Sequence, residues 1–413
     1  MNSQIVTPVI IGGDLGAYNM GRNYFEAYHL QSICIAPRPI TAIRLSNFFT
    51  ITHIERLLDE QLLLTTLHKI ARKHPHDKLI LIGNSDWHAL FIAKNRDELC
   101  DEYEIPYADY EIMKRATSKV EFAHICKKAN ISHPHTQNLN IAQLRHEPHS
   151  FALDISYPVV IKPNNFSEYN LAHFAGKKKL YTAKDKHQFD AVMRTLTKSS
   201  YDGDVVIQEL IPGDDTQMRY LTCYIDASVH LSFAGSAQVL LEDHTPQKAG
   251  NPVSMIARPE PEIIERARQL LNSLNWRGFA NFDVKVDPRD GSYHFLELNP
   301  RPGRNVYVTT AGGANPAFAT IRDLVFADYT NQTDTVHEEY LYSLVPFRLL
   351  KRYITDDAIL EDVTNLHNSG KFLDPFLTSD KSNLRRWATV HLQRLNQYRK
   401  FHTYYPRVTS SGM

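Results

Sequence analysis

One segment restricts the fold of this chain more than any other, namely residues 281–303, which read NFDVKVDPRDGSYHFLELNPRPG. Two strand-like runs flank the turn sequence Pro-Arg-Asp-Gly and predict a β-hairpin. Asp283 lies on the first strand, and Glu297 and Asn299 share one face of the second, because strand side chains alternate. Two carboxylates and an amide oxygen suit Mg²⁺, with Mn²⁺ as a possible substitute. The alternative is a solvent-exposed hairpin whose acidic residues face the solvent.

Two upstream segments favour a nucleotide site over that alternative. The run VVIKP at residues 159–163 ends a buried-looking strand in Lys162, and a lysine there is costly unless it meets an anion. The run VVIQELIPGDD at residues 205–215 predicts a strand that enters a turn with two acids. The backbone of such a strand can contact an adenine edge, and a carboxylate just beyond it can hold ribose hydroxyls.

The first 110 residues or so alternate strand and helix patterns, which predicts a parallel sheet. The strands are predicted at Pro8–Gly12, Ser32–Ala36 and Lys78–Gly83, with helices at about residues 17–28 and 57–73. The glycine-rich turn after the first strand lacks the full GxGxxG spacing, so a tight turn is the better interpretation. Ser118 followed by Glu121 predicts a capping box and a helix to about residue 130.

Charge and cysteine content exclude several classes of protein. Lys plus Arg and Asp plus Glu both number 46, whereas a nucleic-acid binder usually has a basic excess. Four scattered cysteines form no CxxC pair, which argues against a zinc framework or a disulfide scaffold. No apolar run approaches the roughly 18 residues of a membrane span. With no signal-peptide pattern at the start, we expect a cytoplasmic protein.

The C-terminal tail is basic and aromatic, with seven Lys or Arg residues and no acid in residues 381–413. Three interpretations are open. The tail is a helix packed on the acidic remainder of the chain, or a site where Arg385, Arg386, Arg394 or Arg399 holds an anionic acceptor. The third interpretation is weak contact with an anionic membrane surface.

The motifs VVIKP, VIQELIPGDD, FDVKVD and FLELNPRPG, preceded by Lys119 at the start of a helix, occur in an order that resembles ATP-grasp ligases. The resemblance covers about residues 113–325, and residues 1–112 resemble the Rossmann-like domain that usually precedes them. It implies an α/β and α+β chain with three parts. These are a Rossmann-like domain at 1–112, an ATP-grasp domain at 113–330 and a mostly helical extension at 331–413.

The resemblance also implies a role for individual residues. The implied ATP and metal contacts are Lys119 and Lys162 for the phosphates, Glu209, Leu210 and Ile211 for adenine, Asp215 (with Asp214 as a near rival) for ribose, and Asp283, Glu297 and Asn299 for magnesium. Arg301 and Lys248 would stabilise negative charge during transfer. The loop after Lys162 departs from the family, because it lacks the usual glycines.

The implied reaction is amide formation through an acyl phosphate, which an amine then attacks. The opening VIIGGDLGAYNMGRNYFEAYHLQSICIA and the C-terminal extension most resemble the D-aspartate ligase type of carboxylate–amine ligase. That type implies D-aspartate joined to a lysine amine of a peptidoglycan precursor, for example a nucleotide-linked peptide. The alternatives are an amino-acid or dipeptide ligase, a carbamoyl-phosphate-synthase-like enzyme, a non-catalytic nucleotide-binding module and a nicotinamide dehydrogenase.

Overall fold

A four-stranded parallel sheet begins the chain, as the alternating pattern predicts. The computed structural model describes residues 6–147, 151–164, 169, 171–245, 248, 250–329, 331–377 and 384–408, with Leu384 by its backbone alone. The strands are β1 (Val6–Ile11), β2 (Ser32–Ala36), β3 (Phe49–His53) and β4 (Lys78–Gly83), in the order β3-β2-β1-β4. The three predicted strands are confirmed. The edge strand β3 was not predicted, because its half-exposed residues form no apolar run.

Helices follow the strands of this sheet. They are α1 (Leu15–Tyr28), α2 (Thr41–Arg44), α3 (Glu60–Lys73), α4 (Asp86–Lys94), α5 (Arg96–Leu99) and α6 (Tyr110–Thr117). Asp14 caps α1 and Asp59 caps α3, each by accepting backbone N–H groups of the first turn. The cap at Asp59 explains why α3 begins at residue 60 and not at the predicted residue 57.

A second, antiparallel sheet has the strand order β5-β8-β6-β7. The elements of this region are α7 (Lys119–Lys128), β5 (Thr136–Asn140), α8 (Ile141–His146), β6 (Val159–Pro163), β7 (Tyr181–Ala183), α9 (Lys186–Thr197) and β8 (Asp204–Glu209). Val159, Ile161, Val205 and Ile207 bury one face of the sheet. The predicted helix after Ser118 is confirmed, but the capping box is wrong, because the Ser118 side chain makes no capping hydrogen bond.

The third sheet has eight strands and the order β13-β12-β9-β10-β11-β15-β16, with β14 paired to β10. Its strands are β9 (Met218–Ile225), β10 (Leu231–Asp243), β11 (Asn251–Ala257), β12 (Gly278–Val286), β13 (Tyr293–Asn299), β14 (Asp334–Thr335), β15 (Tyr340–Ser343) and β16 (Phe372–Leu373). The helices of this part are α10 (Pro261–Ser273), α11 (Tyr307–Ala311), α12 (Pro316–Ile321), α13 (Phe347–Leu350), α14 (Asp357–Asn368) and α15 (Leu384–Tyr404). The predicted hairpin is confirmed, and α10 is amphipathic, with Ile263, Ala267, Leu270 and Leu271 buried.

The chain divides into two compact units. The first contains residues 1–113, 213–283 and 299–413, and the second contains residues 114–212 and 284–298. The chain passes from one unit to the other within the β12–β13 hairpin. The three-domain boundaries expected from the sequence stay a prediction.

The C-terminal extension is built into the first unit. It supplies β15, which pairs with β11, and the helix α15, whose Phe401 lies in a core cluster with residues of β10 and α13. Arg394 Nε lies 3.3 Å from Asp374 Oδ2, and Lys400 Nζ donates to Asp243 Oδ2 at 2.9 Å. The interpretation of a packed helix is therefore confirmed for the inward face of α15.

Arg386 and Arg394 do not fit the alternative of an anion-binding tail. Arg386 is buried and donates to the Tyr18 hydroxyl at 2.6 Å and to the Phe376 carbonyl at 3.3 Å. These contacts, like the ion pair of Arg394, use the guanidinium groups within the fold. Among the described residues, no helix has both the length and the apolar character that a membrane span requires.

Candidate active site

Lys162 lies on the face of the small antiparallel sheet that is opposite the core cluster of the second unit. Its neighbours Val159 and Ile161 on β6 point into the core, so strand alternation directs Lys162 to the opposite face, level with Val206 of β8. His133 and His294 are close by. Burial, together with the charge of Lys162, lowers the pKa of His133 to about 4. This face therefore places the charge of Lys162 near an imidazole that burial keeps neutral at pH 7.

The predicted adenine segment, Glu209 to Ile211, follows directly from β8. The Glu209 N–H donates to the His135 carbonyl at 2.9 Å, and the Leu210 N–H donates to the Pro158 carbonyl at 3.1 Å. Both donors are thus used within the second unit. A hydrogen bond from this segment to adenine must come from its other backbone groups. Glu209 also lies 3.4 Å from Arg289 Nη2, which orients its carboxylate.

The two acids of the predicted ribose turn have different environments. Asp214 Oδ1 accepts the N–H of Thr216 at 2.9 Å and so caps a 3₁₀ turn over Asp215–Gln217. Asp215 is buried, and its Oδ2 accepts the Glu242 N–H at 2.9 Å and lies 3.3 Å from His244 Nε2. The Asp215 carboxylate is consequently held against the end of β10, while Asp214 has a local capping role.

The predicted magnesium ligands lie on the β12–β13 hairpin, with Asp283 and Asn299 in the first unit and Glu297 in the second. Asp283 Oδ1 lies 3.4 Å from Asn281 Nδ2, and Asn299 Oδ1 lies 3.4 Å from Arg301 Nη2. Both distances are at the long limit of a hydrogen bond. The donor set, two carboxylates and an amide oxygen, fits Mg²⁺. No cluster of three or more His, Cys, Asp or Glu side chains with metal-binding geometry occurs in the described part of the chain.

The remaining predicted residues lie at the ends of elements. Lys119 is the first residue of α7, and Lys248 is an exposed residue of the β10–β11 connection. The rest of that connection at 246, 247 and 249, and residues 165–168 of the loop after Lys162, lie outside the described residues. Arg301 Nε lies 2.8 Å from Asp86 Oδ1 within the first unit.

Three of the four cysteines are buried thiols that are unsuited to nucleophilic catalysis. Cys34 and Cys126 are buried, and burial raises the pKa of both thiols to about 12. Neither thiol ionises at neutral pH, so neither is an activated nucleophile.

The fold is shared with solved ATP-grasp structures. The ADP complex of PurK, N5-carboxyaminoimidazole ribonucleotide synthetase, superposes with a TM-score of 0.59 at 14% identity, covering 89% of this chain and 88% of that one. An L-amino acid ligase from Bacillus licheniformis superposes with a TM-score of 0.56 at 15% identity, covering 82% and 78%. No family model matches the chain.

A relative of known activity is similar over nearly the whole chain. The D-aspartate ligase of Enterococcus faecium (strain Aus0004) is 29% identical over 410 residues, which are 97% of this chain and 95% of the relative. The chain has the ATP-grasp fold, and its sequence is similar to that of a ligase over nearly its whole length. This resemblance to D-aspartate ligase is consistent with an ADP-forming carboxylate–amine ligase.

A second, more distant relative matches only half of this chain. The D-alanine–D-alanine ligase of Xanthomonas axonopodis pv. citri (strain 306) is 22% identical over 212 residues, 50% of this chain and 62% of the relative. The similarity to D-aspartate ligase is therefore both closer and longer.

Proposed function

We propose that this ligase uses ATP to join the β-carboxylate of D-aspartate to an amine, and that the amine is the lysine side chain of a peptidoglycan precursor. The similarity to D-aspartate ligase over 410 residues carries the proposal, because it includes the N-terminal sheet and the C-terminal extension as well as the ATP-grasp motifs. An isolated nucleotide-binding module would need neither of these additional parts.

The first half-reaction forms an acyl phosphate. A carboxylate oxygen of the substrate attacks the γ-phosphorus of ATP, a new O–P bond forms, and the bond to ADP breaks. Lys119 and Lys162 would bind the phosphate oxygens, and Arg301 and Lys248 would stabilise the charge that develops during transfer. Bound Mg²⁺, held by Asp283, Glu297 and Asn299, would neutralise phosphate charge.

The second half-reaction forms the amide. A neutral amine attacks the acyl carbon, its proton is lost, and inorganic phosphate leaves with the oxygen that came from the carboxylate. The enzyme contributes position and charge stabilisation, so it needs no nucleophilic side chain. The buried cysteines are consistent with this scheme.

An amino-acid or dipeptide ligase is the second candidate, because solved L-amino acid ligase and the relative D-alanine–D-alanine ligase resemble this chain. The candidates differ in the substrate that triggers ADP release. A screen should supply ATP and Mg²⁺ with D-aspartate, L-aspartate, D-alanine or bicarbonate, each with a panel of amine acceptors.

We expect ADP release that requires D-aspartate together with a lysine-containing acceptor peptide. D-Aspartate labelled with ¹⁸O in its β-carboxylate should deliver one labelled oxygen to the released phosphate. ADP release that depends on another amino acid would favour the second candidate. Unlabelled phosphate would exclude the acyl-phosphate route.

A further inference from the structure

The C-terminal extension reaches the acid that is predicted to bind the ribose of ATP. Tyr405, which follows α15, is stacked on the ring of His244, with the ring centroids 3.6 Å apart and the planes at 8°. His244 follows β10 directly, and its Nε2 lies 3.3 Å from Asp215 Oδ2. All three residues belong to the first unit, so these contacts form within one compact part of the chain.

The two oxygens of the Asp215 carboxylate have different surroundings. A carboxylate oxygen accepts hydrogen bonds, so the Nε2 of His244 carries the proton and donates to Oδ2. The same Oδ2 accepts the backbone N–H of Glu242 at 2.9 Å. Oδ1 accepts no hydrogen bond within the described part of the chain. One oxygen is therefore tied to the fold, and the other is left for a ligand.

The hydrogen bond from His244 fixes the direction of that second oxygen. The final torsion of an aspartate side chain has a broad energy minimum, so a single donor leaves the carboxylate free to turn. The backbone of β10 supplies one donor, through Glu242, and His244 supplies the second one from another side chain. Two donors on Oδ2 restrict the carboxylate plane and thereby the position of Oδ1.

Tyr405 is itself held firmly beneath the His244 ring. It is buried, its N–H donates to the Phe401 carbonyl at 2.9 Å, and its carbonyl accepts the Tyr353 hydroxyl at 2.8 Å. The Tyr353 ring is stacked on the Tyr405 ring, with centroids 5.3 Å apart and planes at 18°. Stacked rings prefer a defined mutual geometry, so the row of Tyr353, Tyr405 and His244 limits how the imidazole can turn.

The helix α15 also holds the backbone next to His244. Asp243 Oδ1 accepts the N–H and the hydroxyl of Thr245 at 3.0 and 2.7 Å, which closes a turn around His244. Asp243 Oδ2 accepts the Nζ of Lys400 at 2.9 Å. The extension thus contacts both the ring of His244 and the turn that carries it.

We infer that His244 and Tyr405 are positioning residues for the nucleotide: Tyr405 holds the His244 ring, and His244 turns Asp215 so that Oδ1 accepts a hydrogen bond from a ribose hydroxyl. The inference rests on the proposed function, from which it takes the ribose role of Asp215. It gives the C-terminal extension a part in nucleotide affinity in addition to its packing on the first unit.

Calorimetric titration of the whole chain with ADP and with 2′,3′-dideoxy-ADP, in the presence of Mg²⁺, tests the inference. His244→Phe keeps a flat ring against Tyr405 and removes the donor. It should weaken ADP binding about fivefold, as expected for one hydrogen bond. Binding of the dideoxynucleotide should stay within about twofold of the wild type, because this ligand has no ribose hydroxyl to lose. A variant with a merely loosened fold would bind both nucleotides more weakly.

Two further substitutions separate the donor from the ring. His244→Gln keeps an amide that can donate to Asp215, so it should bind ADP more tightly than His244→Phe does. Tyr405→Phe keeps the stacked ring and should retain the wild-type affinity for ADP. Tyr405→Leu removes the ring and should weaken ADP binding about threefold, with little change for the dideoxynucleotide.

A second stacked histidine in the first unit provides the matched control. His367 of α14 is stacked on Phe347 of α13, with the ring centroids 3.8 Å apart and the planes at 9°. His367→Phe makes the same chemical change in the same kind of ring pair, and it should keep the wild-type affinity for both nucleotides.

Asp215→Asn in the same titration separates the possible failures. If Asp215→Asn loses the preference for ADP over the dideoxynucleotide and His244→Phe keeps it, the ribose contact stands and the inference is wrong. If both variants keep the preference, the ribose role of Asp215 is wrong and the inference fails with it. No amino acid is present, so a substrate screen that contradicts D-aspartate leaves these results unchanged. A wild-type protein that binds no ADP would overturn the inference and the proposed function together.

Discussion

An arginine cluster of the first unit and the Lys162 face of the second unit hold charge in different ways. The cluster consists of Asp14, Asp86, Arg301 and Arg304, and each arginine has a carboxylate partner, so the four charged side chains sum to zero. On the Lys162 face, the ammonium group lies near His133, which burial keeps neutral at pH 7. The charges of the first region are balanced by ion pairs within it, and the second region is the one proposed to bind the phosphates of ATP.

The two regions also differ in how their residues come together. The Lys162 face is formed by adjacent strands of one small sheet. The cluster joins the turns after β1 and β4 to the segment after β13, which is distant in sequence. The predictions below test whether these two ways of holding charge have separate tasks, phosphate binding for Lys162 and stability for ion pairs of the first unit.

The largest expected effect is at the magnesium ligands. Glu297→Gln and Asp283→Asn should each reduce kcat by about 100-fold or more, because loss of one electrostatic catalytic contact has effects of this size. Single-turnover phosphate release measures it. Asp290→Asn, in the exposed turn of the same hairpin, is the control and should remain active. Nearly normal turnover of both ligand variants at ordinary Mg²⁺ would show that the metal assignment is wrong.

Lys162→Met should have the next largest effect. Removing its charge should lower kcat/KM for ATP by roughly 100-fold, since a charge-assisted contact to a phosphate is lost. The dissociation constant for the amino acid should stay within about twofold if Lys162 contacts the nucleotide alone. Lys186→Met, an exposed lysine of α9 paired with Asp190, is the control. An equal loss of ATP and amino-acid affinity would contradict this role of Lys162.

The sequence was sufficient to predict those parts of the fold that depend on local pattern. The buried strands β2 and β4 and the hairpin β12–β13 were predicted because each has a clear apolar pattern in the sequence. The edge strand β3 was missed because its side chains are largely exposed. The predicted capping box at Ser118 is wrong, because the sequence pattern shows only that a capping hydrogen bond can form. The local backbone geometry determines whether the Ser118 side chain makes it.

The predicted site residues came from motifs, and motifs do not reveal pairing between distant segments. Arg301 was identified within NPRPG, but its contact with Asp86 depends on the arrangement of two turns that are far apart in sequence. Arg304 and His244 were not singled out at all. Arg301 and Arg304, which follow β13 with two residues between them, were the sequence signal that could have led to these contacts.

A stability effect should follow from the basic tail. Arg394→Gln leaves the buried carboxylate of Asp374 without its ion-pair partner, which should cost about 2 kcal/mol of unfolding free energy, below the range for a fully buried pair because Arg394 is partly exposed. Burial already raises the pKa of Asp374, and loss of Arg394 should raise it further. Because its pKa is raised, the Asp374 carboxyl of the folded variant takes up a proton at a higher pH than it does in the unfolded chain. The loss of unfolding free energy should therefore shrink from pH 7.5 towards pH 5.

Urea unfolding at both pH values measures this deficit. Arg399→Gln, on the exposed face of the same helix, is the control and should change stability little. A deficit that is independent of pH would mean that Asp374 is not the cause.

The smallest expected effect concerns the ribose contact and compares two adjacent acids. Asp215→Asn should raise the KM for ATP about tenfold with kcat within twofold, since a contact made equally in ground and transition states contributes uniform binding. Asp214→Asn should leave the KM unchanged, because asparagine preserves the cap on Thr216. Comparing ATP with 2′-deoxy-ATP locates the contact. The wild type should bind the deoxynucleotide more weakly than ATP, whereas Asp215→Asn should bind the two with the same affinity. The reverse pattern would transfer the ribose contact to Asp214. If Asp215→Asn lowers the melting temperature and leaves the KM unchanged, the role of Asp215 is structural. It would then stabilise β10 through the hydrogen bond that it accepts from the Glu242 N–H.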